Sequence, residues 1–171
     1  KNKNIKGIIG MTFLDQRRLG VKKETMRFSP LSPVLLPSMQ ITAKTPFGNL
    51  GLPMSLVSRM SKLTNDPTAL KIMLKDGTSA GNFMSVKFLD SYMNYKPKYD
   101  LSSFSQCPVL LTQPAEDRWT PIELSQPVLD RLNVPHQVVM LPHGGHYPVE
   151  AEALEQLKQS SIAFIEQYTA Q

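Results

Sequence analysis

Three segments carry the hydrophobic pattern of buried strands. Residues 5–14 (IKGIIGMTFL) are apolar and rich in β-branched side chains, residues 108–113 (PVLLTQ) form a short continuous run, and residues 136–141 (HQVVML) form another. Apolar runs with little alternation fit strands covered on both faces, as in a parallel sheet. Between the second and third lies an amphipathic stretch, residues 122–132, which predicts a crossover helix joining two parallel strands. Thr120-Pro121-Ile122-Glu123 reads as its start, with Thr120 as cap, Pro121 at the first helical position and Glu123 completing a capping box. A last helix is predicted from about Val149, with Glu150, Glu152 and Glu155 at the positive end of its dipole. Leu154, Leu157, Ser161, Ile165 and Tyr168 form its expected buried stripe, with Phe164 beside it.

The middle of the chain has a different texture. Pro30, Pro33, Pro37, Pro46 and Pro53 break any sustained period over residues 19–53, which predicts loop and short helix. From 54 onward the spacing is helical, with Leu56, Val57, Met60 and Leu63 on one face. Asp66-Pro67 is a cap and first-turn pair for a helix through Leu70, Met73 and Leu74 that stops near Gly77. A further helix is predicted from about 79 to 95, where Phe83, Val86, Leu89, Tyr92 and Met93 repeat. Seven methionines (26, 39, 54, 60, 73, 84 and 93) fall in this region. Met adapts to irregular apolar neighbours, in a core or over an apolar ligand pocket.

Composition narrows the class. A chain of 171 residues with 41% hydrophobic and 19% charged residues has the make-up of one soluble globular domain. No apolar run approaches the ~20 residues that span a bilayer, so no membrane span is expected. The segment KNKNIKG is basic but lacks the apolar stretch of a signal peptide. The chain does not start with Met, as expected of a sequence that begins in mid-protein. A lone cysteine, Cys107, fits a reducing, cytoplasmic setting and a small core role. Of the net charge of +5, residues 1–27 hold eight Lys or Arg against Asp15 and Glu24. With no interleaved aromatics and no recognition motif, that cluster reads as a solvated face, and no nucleic-acid partner is expected. Three histidines and one cysteine lack metal-ligand spacing, and there is no glycine-rich phosphate loop, so neither metal nor cofactor is expected.

The candidate chemistry lies in two loops. Asp117 sits in PAEDRWTP after the second strand, and His146 in PHGGHYPVE after the third. Parallel strands joined by a crossover send both loops from the same sheet edge, where open α/β sheets place their ligands. A histidine can take a hydroxyl proton near neutral pH and return it, and a carboxylate behind it fixes the tautomer. Gly144 and Gly145 allow an unusual path and close approach beside His146. Trp119 is expected to pack beside the Asp117 loop, and Tyr147 and Pro148 to fix the histidine loop. His143 reads as an exposed loop residue and His136 as structural. The third member of a triad is missing. The spelling G-x-S-x-G occurs at Gly77-Thr78-Ser79-Ala80-Gly81, but it follows a predicted helix rather than a strand, so Ser55, Ser79 and Ser125 all lack the context of a nucleophile elbow, the last two reading as helix-surface or cap residues.

On these residues, CPVLLTQPAEDRWTP followed by LPHGGHYPVE resembles the C-terminal part of an α/β-hydrolase of the lipase, esterase and serine-peptidase-like kind. The resemblance implies an α/β fold: about three parallel strands of the hydrolase sheet from residues 1–16 and 105–171, with a mainly helical cap over 17–104. It implies Asp117 as the acid and His146 as the base of a serine hydrolase of carboxylic esters or lipids, working through an acyl-enzyme. Asp15, at the end of the first strand, is a rival acid, and is expected instead to anchor Arg17 or Arg18. The nucleophile and the oxyanion hole have no counterpart here, so the chain is expected to be a hydrolase fragment, inactive alone. Its partners would be a small apolar ester, and either the missing N-terminal half or a second copy in a dimer. The other reading is a noncatalytic hydrolase-like domain that binds a ligand or a protein.

Overall fold

The computed structural model describes residues 5–169. In chain order they form β1 (Ile8–Gly10), α1 (Leu19–Thr25), α2 (Ser32–Ala43), β2 (Gly51–Pro53), α3 (Met54–Val57), α4 (Pro67–Lys75), β3 (Phe83–Ser85), α5 (Val86–Asn94), β4 (Val109–Pro114), α6 (Ile122–Leu129), β5 (His136–Leu141) and α7 (Ala151–Thr169). They cluster into two compact units, one of residues up to 14 together with 97 onward, the other of residues 15–96. No helix among the described residues is long and apolar enough to cross a membrane.

The first unit is built on a parallel sheet in the order β1-β4-β5. All six residues of β4 are buried, because a strand is hydrogen-bonded on each side of it. Leu111 pairs with Gly10 on one side and Val138 on the other. The β-strand expected over 5–14 shrinks to three residues. Glycine explains the local path: the Phe164 ring lies 2.5 Å from where a Cβ on Gly7 would stand, and the Phe13 ring 2.7 Å from that of Gly10. Past β1 the Phe13 N–H donates to Ser125 Oγ at 3.1 Å. Ser125 is therefore fully buried, not a helix-surface residue. Cys107 is buried as expected, and that burial pushes its thiol pKa up.

Two helix readings need correction. Pro121, not Thr120, takes the cap position of α6 and makes no side-chain cap bond, because the Thr120 hydroxyl is engaged elsewhere. On α7, which starts at Ala151, the buried residues are Ala153 and Phe164, while Leu154 and Ile165 are 44% and 50% exposed. The helix is turned so that its smallest side chain meets the loop: a Cβ on Gly144 would stand 3.3 Å from that of Ala153. Close backbone approach thus outweighs the burial of two larger apolar groups.

In the second unit β2 and β3 pair antiparallel, Gly51 with Ser85 and Pro53 with Phe83. The helix expected over 79–95 is therefore β3 followed by α5, capped by Ser85 Oγ, which accepts from Phe88 N at 3.2 Å. The helix expected from 54 is only the single turn α3 and a 3-10 turn, Met60–Lys62. Residues between them are drawn off to other partners: Ser58 Oγ and Arg59 N both donate to the Thr25 carbonyl, at 2.7 and 3.2 Å. The Asp66 cap forms as expected, accepting from Ala69 N at 2.6 Å. Helix α2 packs on α5 and carries Pro37 within its twelve residues. Among α2, β2, α3 and α5 lies an apolar cavity of about 320 Å³, lined by Phe28, Leu35, Met39, Leu56 and Leu89 among others. Of the seven methionines only Met26 and Met39 reach it.

Candidate active site

Strands β4 and β5 run parallel in register, Gln113 opposite Met140 and Pro114 opposite Leu141. Their carboxyl ends therefore finish side by side, and the loops are stitched together just beyond. Ala115 N donates to the Leu141 carbonyl at 2.9 Å and Glu116 N to that of Gly144 at 3.0 Å. His143 has φ 58°, the sole non-glycine residue in the left-handed region among those described. It is exposed, as expected, and contacts Glu116 at 3.1 Å and Glu152 at 3.9 Å. On the far side Glu150 accepts from Val149 N at 2.9 Å and Gly145 N at 3.4 Å, tying the histidine loop to the start of α7.

This frame brings Asp117 and His146 together. His146 Nδ1 lies 2.9 Å from Asp117 Oδ2. The Asp117 side chain is fully buried and that of His146 is 14% exposed. An ionised carboxylate only accepts, so Nδ1 carries the proton and the neutral imidazole keeps its lone pair on Nε2. That is the tautomer a general base needs. Asp117 Oδ1 accepts from Trp119 N at 2.9 Å and Thr120 N at 2.8 Å, a local turn that orients the acid. The Trp119 ring meets His146 edge-on at 4.6 Å between centroids, and Tyr147 meets it at 5.2 Å. The imidazole is thus flanked by the two aromatics expected beside these loops.

Burial by itself pushes the Asp117 carboxyl pKa upward. The His146 hydrogen bond, the Thr120 amide, the positive charge of protonated His146 and the Trp119 amide together outweigh it, so the pKa lies below its ordinary 3.8. The linkage sign follows. Between the lowered folded value and 3.8 the unfolded chain binds more protons, so stability rises with pH there. The contribution is complete above the ordinary value and is lost as pH falls through the folded one. Denaturant midpoints of the protein and of Asp117→Asn should therefore differ fully above pH 3.8 and converge as pH falls through the lowered folded value. A gap that widens as pH falls below 3.8 would contradict this assignment.

Other candidates fall outside the constellation. Asp15 belongs to the second unit and holds Arg17, Oδ1 from Nε at 2.8 Å and Oδ2 from Nη2 at 2.7 Å. Ser55 lies on the short helix α3 of that unit, and Ser79 in a turn rather than on a helix. His136 opens β5 with Nδ1 3.1 Å from the Val134 carbonyl oxygen. Among the described residues no group of three or more His, Cys, Asp and Glu is placed to hold a metal ion. What the sequence did not reveal is Thr120. Its hydroxyl donates to Asp117 Oδ2 at 2.9 Å and lies 2.9 Å from His146 Nδ1. The available signal was its position three residues after an aspartate, within reach of local capping.

No protein-family model and no curated protein matches this chain. Solved structures do. A monoacylglycerol lipase from Paleococcus ferrophilus aligns with a TM-score of 0.64 at 18% identity, over 96% of this chain and 60% of the lipase. A soluble variant of the monoglyceride lipase of Saccharomyces cerevisiae, solved with a substrate analogue, aligns with a TM-score of 0.66 at 12% identity, over 96% of this chain and 56% of the other. The chain thus spans less than two-thirds of the length of either. At these identities the likeness is one of fold: the chain folds as the C-terminal part of an α/β-hydrolase, a parallel sheet carrying a mainly helical insertion.

Proposed function

We propose that this chain supplies the acid, Asp117, and the general base, His146, of a serine hydrolase that cleaves carboxylic esters or lipids. The serine and the oxyanion hole come from outside these residues. The observation that carries the reading is the 2.9 Å contact between His146 Nδ1 and a fully buried Asp117 carboxylate. In the reaction, His146 Nε2 takes the serine hydroxyl proton as the oxygen attacks the ester carbonyl. It then gives that proton to the departing alcohol, leaving an acyl-enzyme. Water then attacks the acyl-enzyme, losing a proton to Nε2, which passes it to the serine oxygen as the acyl–serine bond breaks and the acid leaves. Asp117 stays ionised and stabilises the imidazolium at each stage.

The residues from 15 to 96 serve as the cap. Their cavity, at about 320 Å³, falls at the low end of ligand-pocket sizes of ~300–1,000 Å³. Its lining is aliphatic, aromatic and thioether, with Ser38 and Thr42 as minor polar members, which suits an acyl chain. The named lipase neighbours support an ester substrate. Fatty acids of increasing chain length should bind roughly fourfold more tightly per methylene until the cavity is full, since each buried CH₂ contributes about 0.8 kcal/mol. Met39→Trp should cut that series short. Acyl esters bound without turnover would favour instead a noncatalytic hydrolase-like binding domain, a reading that draws on the lack of a serine in a strand–turn–helix elbow: Ser79, in Gly77-Thr78-Ser79-Ala80-Gly81, lies in a turn that leads from α4 to β3.

A further inference from the structure

We infer that Thr120 is a positioning residue of the Asp117–His146 pair, fixing both the proton on Nδ1 and the direction of the imidazole plane. The inference rests on the function proposed above. Thr120 Oγ1, Asp117 Oδ2 and His146 Nδ1 form a triangle with sides of 2.9 Å. Two protons must be shared among three atoms, and only one assignment satisfies all of them. The carboxylate oxygen can only accept. If Thr120 gave its proton to Nδ1, the imidazole nitrogen would offer Oδ2 nothing but a lone pair at 2.9 Å. The hydroxyl therefore donates to Oδ2, its own lone pair turns toward Nδ1, and the Nδ1 proton is shared between Oδ2 and Oγ1.

The consequence is directional. A single acceptor leaves the imidazole free to swing about one contact, whereas two acceptors fix its plane and the line along which Nε2 points. Thr120 is itself held on every polar atom. Its N–H donates to Asp117 Oδ1 at 2.8 Å and its carbonyl accepts from Gln113 Nε2 at 3.2 Å. The residue is 1% exposed and Gln113 is fully buried. The β-branched side chain restricts χ1, and the burial of Thr120 keeps bulk solvent away from its hydroxyl. The Thr120 proton stays on its oxygen throughout, since the role requires no transfer through it.

The test compares Thr120→Val, which keeps the shape and removes the hydroxyl, with Thr120→Ser, which keeps the hydroxyl, in the protein with its full complement of residues. Thr120→Val should lower kcat about tenfold to a hundredfold, the range of one hydrogen bond to a charged group, with KM within about twofold. Thr120→Ser should stay within about threefold of the parent in kcat. A merely structural role for the hydroxyl would lower the folded fraction and so the apparent kcat of both variants in step with their stability, with no such split between Val and Ser. Proton NMR supplies a readout independent of turnover. In the unsubstituted protein the Thr120 hydroxyl proton should be protected from exchange and show a cross-peak to a downfield His146 Nδ1 proton, which Thr120→Val should shift. Absence of that cross-peak, or a Thr120→Val protein with parental kcat and an unmoved Nδ1 proton, would overturn the inference. A protein that shows the cross-peak but never turns over an ester would overturn the proposed reaction while leaving the hold of Thr120 on His146 in place.

Discussion

Asp117→Asn should lower kcat for ester hydrolysis by about 10³–10⁴-fold while leaving the fold intact. The expectation comes from the partners of each oxygen. Oδ1 accepts from two backbone amides, those of Trp119 and Thr120. In the variant the asparagine must keep its carbonyl oxygen there, since an amide NH₂ against two N–H groups would leave three buried donors facing one another. The NH₂ therefore lands at the Oδ2 position, where it meets His146 Nδ1 and the Thr120 hydroxyl. A donor at that place makes Nδ1 the acceptor and moves the imidazole proton to Nε2. The base then has no lone pair to offer the serine. Steady-state kinetics together with the ¹⁵N chemical shifts of the His146 imidazole check both halves. A variant with parental kcat, or with the proton still on Nδ1, would contradict the assignment.

Leu111→Ala should destabilise the protein by about 3–5 kcal/mol, a large share of the 5–15 kcal/mol usual for a domain. Leu111 is fully buried at the centre of β4, with strands paired on both sides and α7 packed against the same strand. Neighbours fixed by ladder hydrogen bonds cannot collapse into the space, so the transfer loss and the cavity both count. Leu154→Ala is the control. Leu154 is apolar and helical but 44% exposed, and its truncation should cost less than about 1 kcal/mol. Urea titrations of both variants make the comparison, and equal losses would contradict the placement of α7.

That contrast also marks how far the sequence could be read. Strands β4 and β5, the helix between them and the two loops were legible because a continuous apolar run, a proline at a helix start and paired glycines are local signals. The juxtaposition of Asp117 and His146 followed from parallel pairing. The face of α7 was not legible, because apolar spacing favoured Leu154 and Ile165 while the close approach at Gly144 selected Ala153. Thr120 was read as a helix cap for a related reason. Local pattern offered a capping box, but the hydroxyl goes to a charged oxygen and an imidazole, and the latter arrives from 26 residues downstream. Strands β2 and β3 have three residues each and contain Pro53 and Met84, too little for any period. Their pairing exists only through contacts across the unit, such as Met54 N to the Asn82 carbonyl at 2.9 Å.

Labelling with a fluorophosphonate probe, with the modified residue mapped by mass spectrometry in the parent and in His146→Ala, tests most directly whether Asp117 and His146 serve a nucleophilic serine. The parent should label on a single serine in a G-x-S-x-G turn outside residues 1–171, and His146→Ala should abolish that labelling. A parent in which no serine reacts, or a serine that reacts equally well without His146, would contradict the assignment of this pair as the acid and base of a hydrolase.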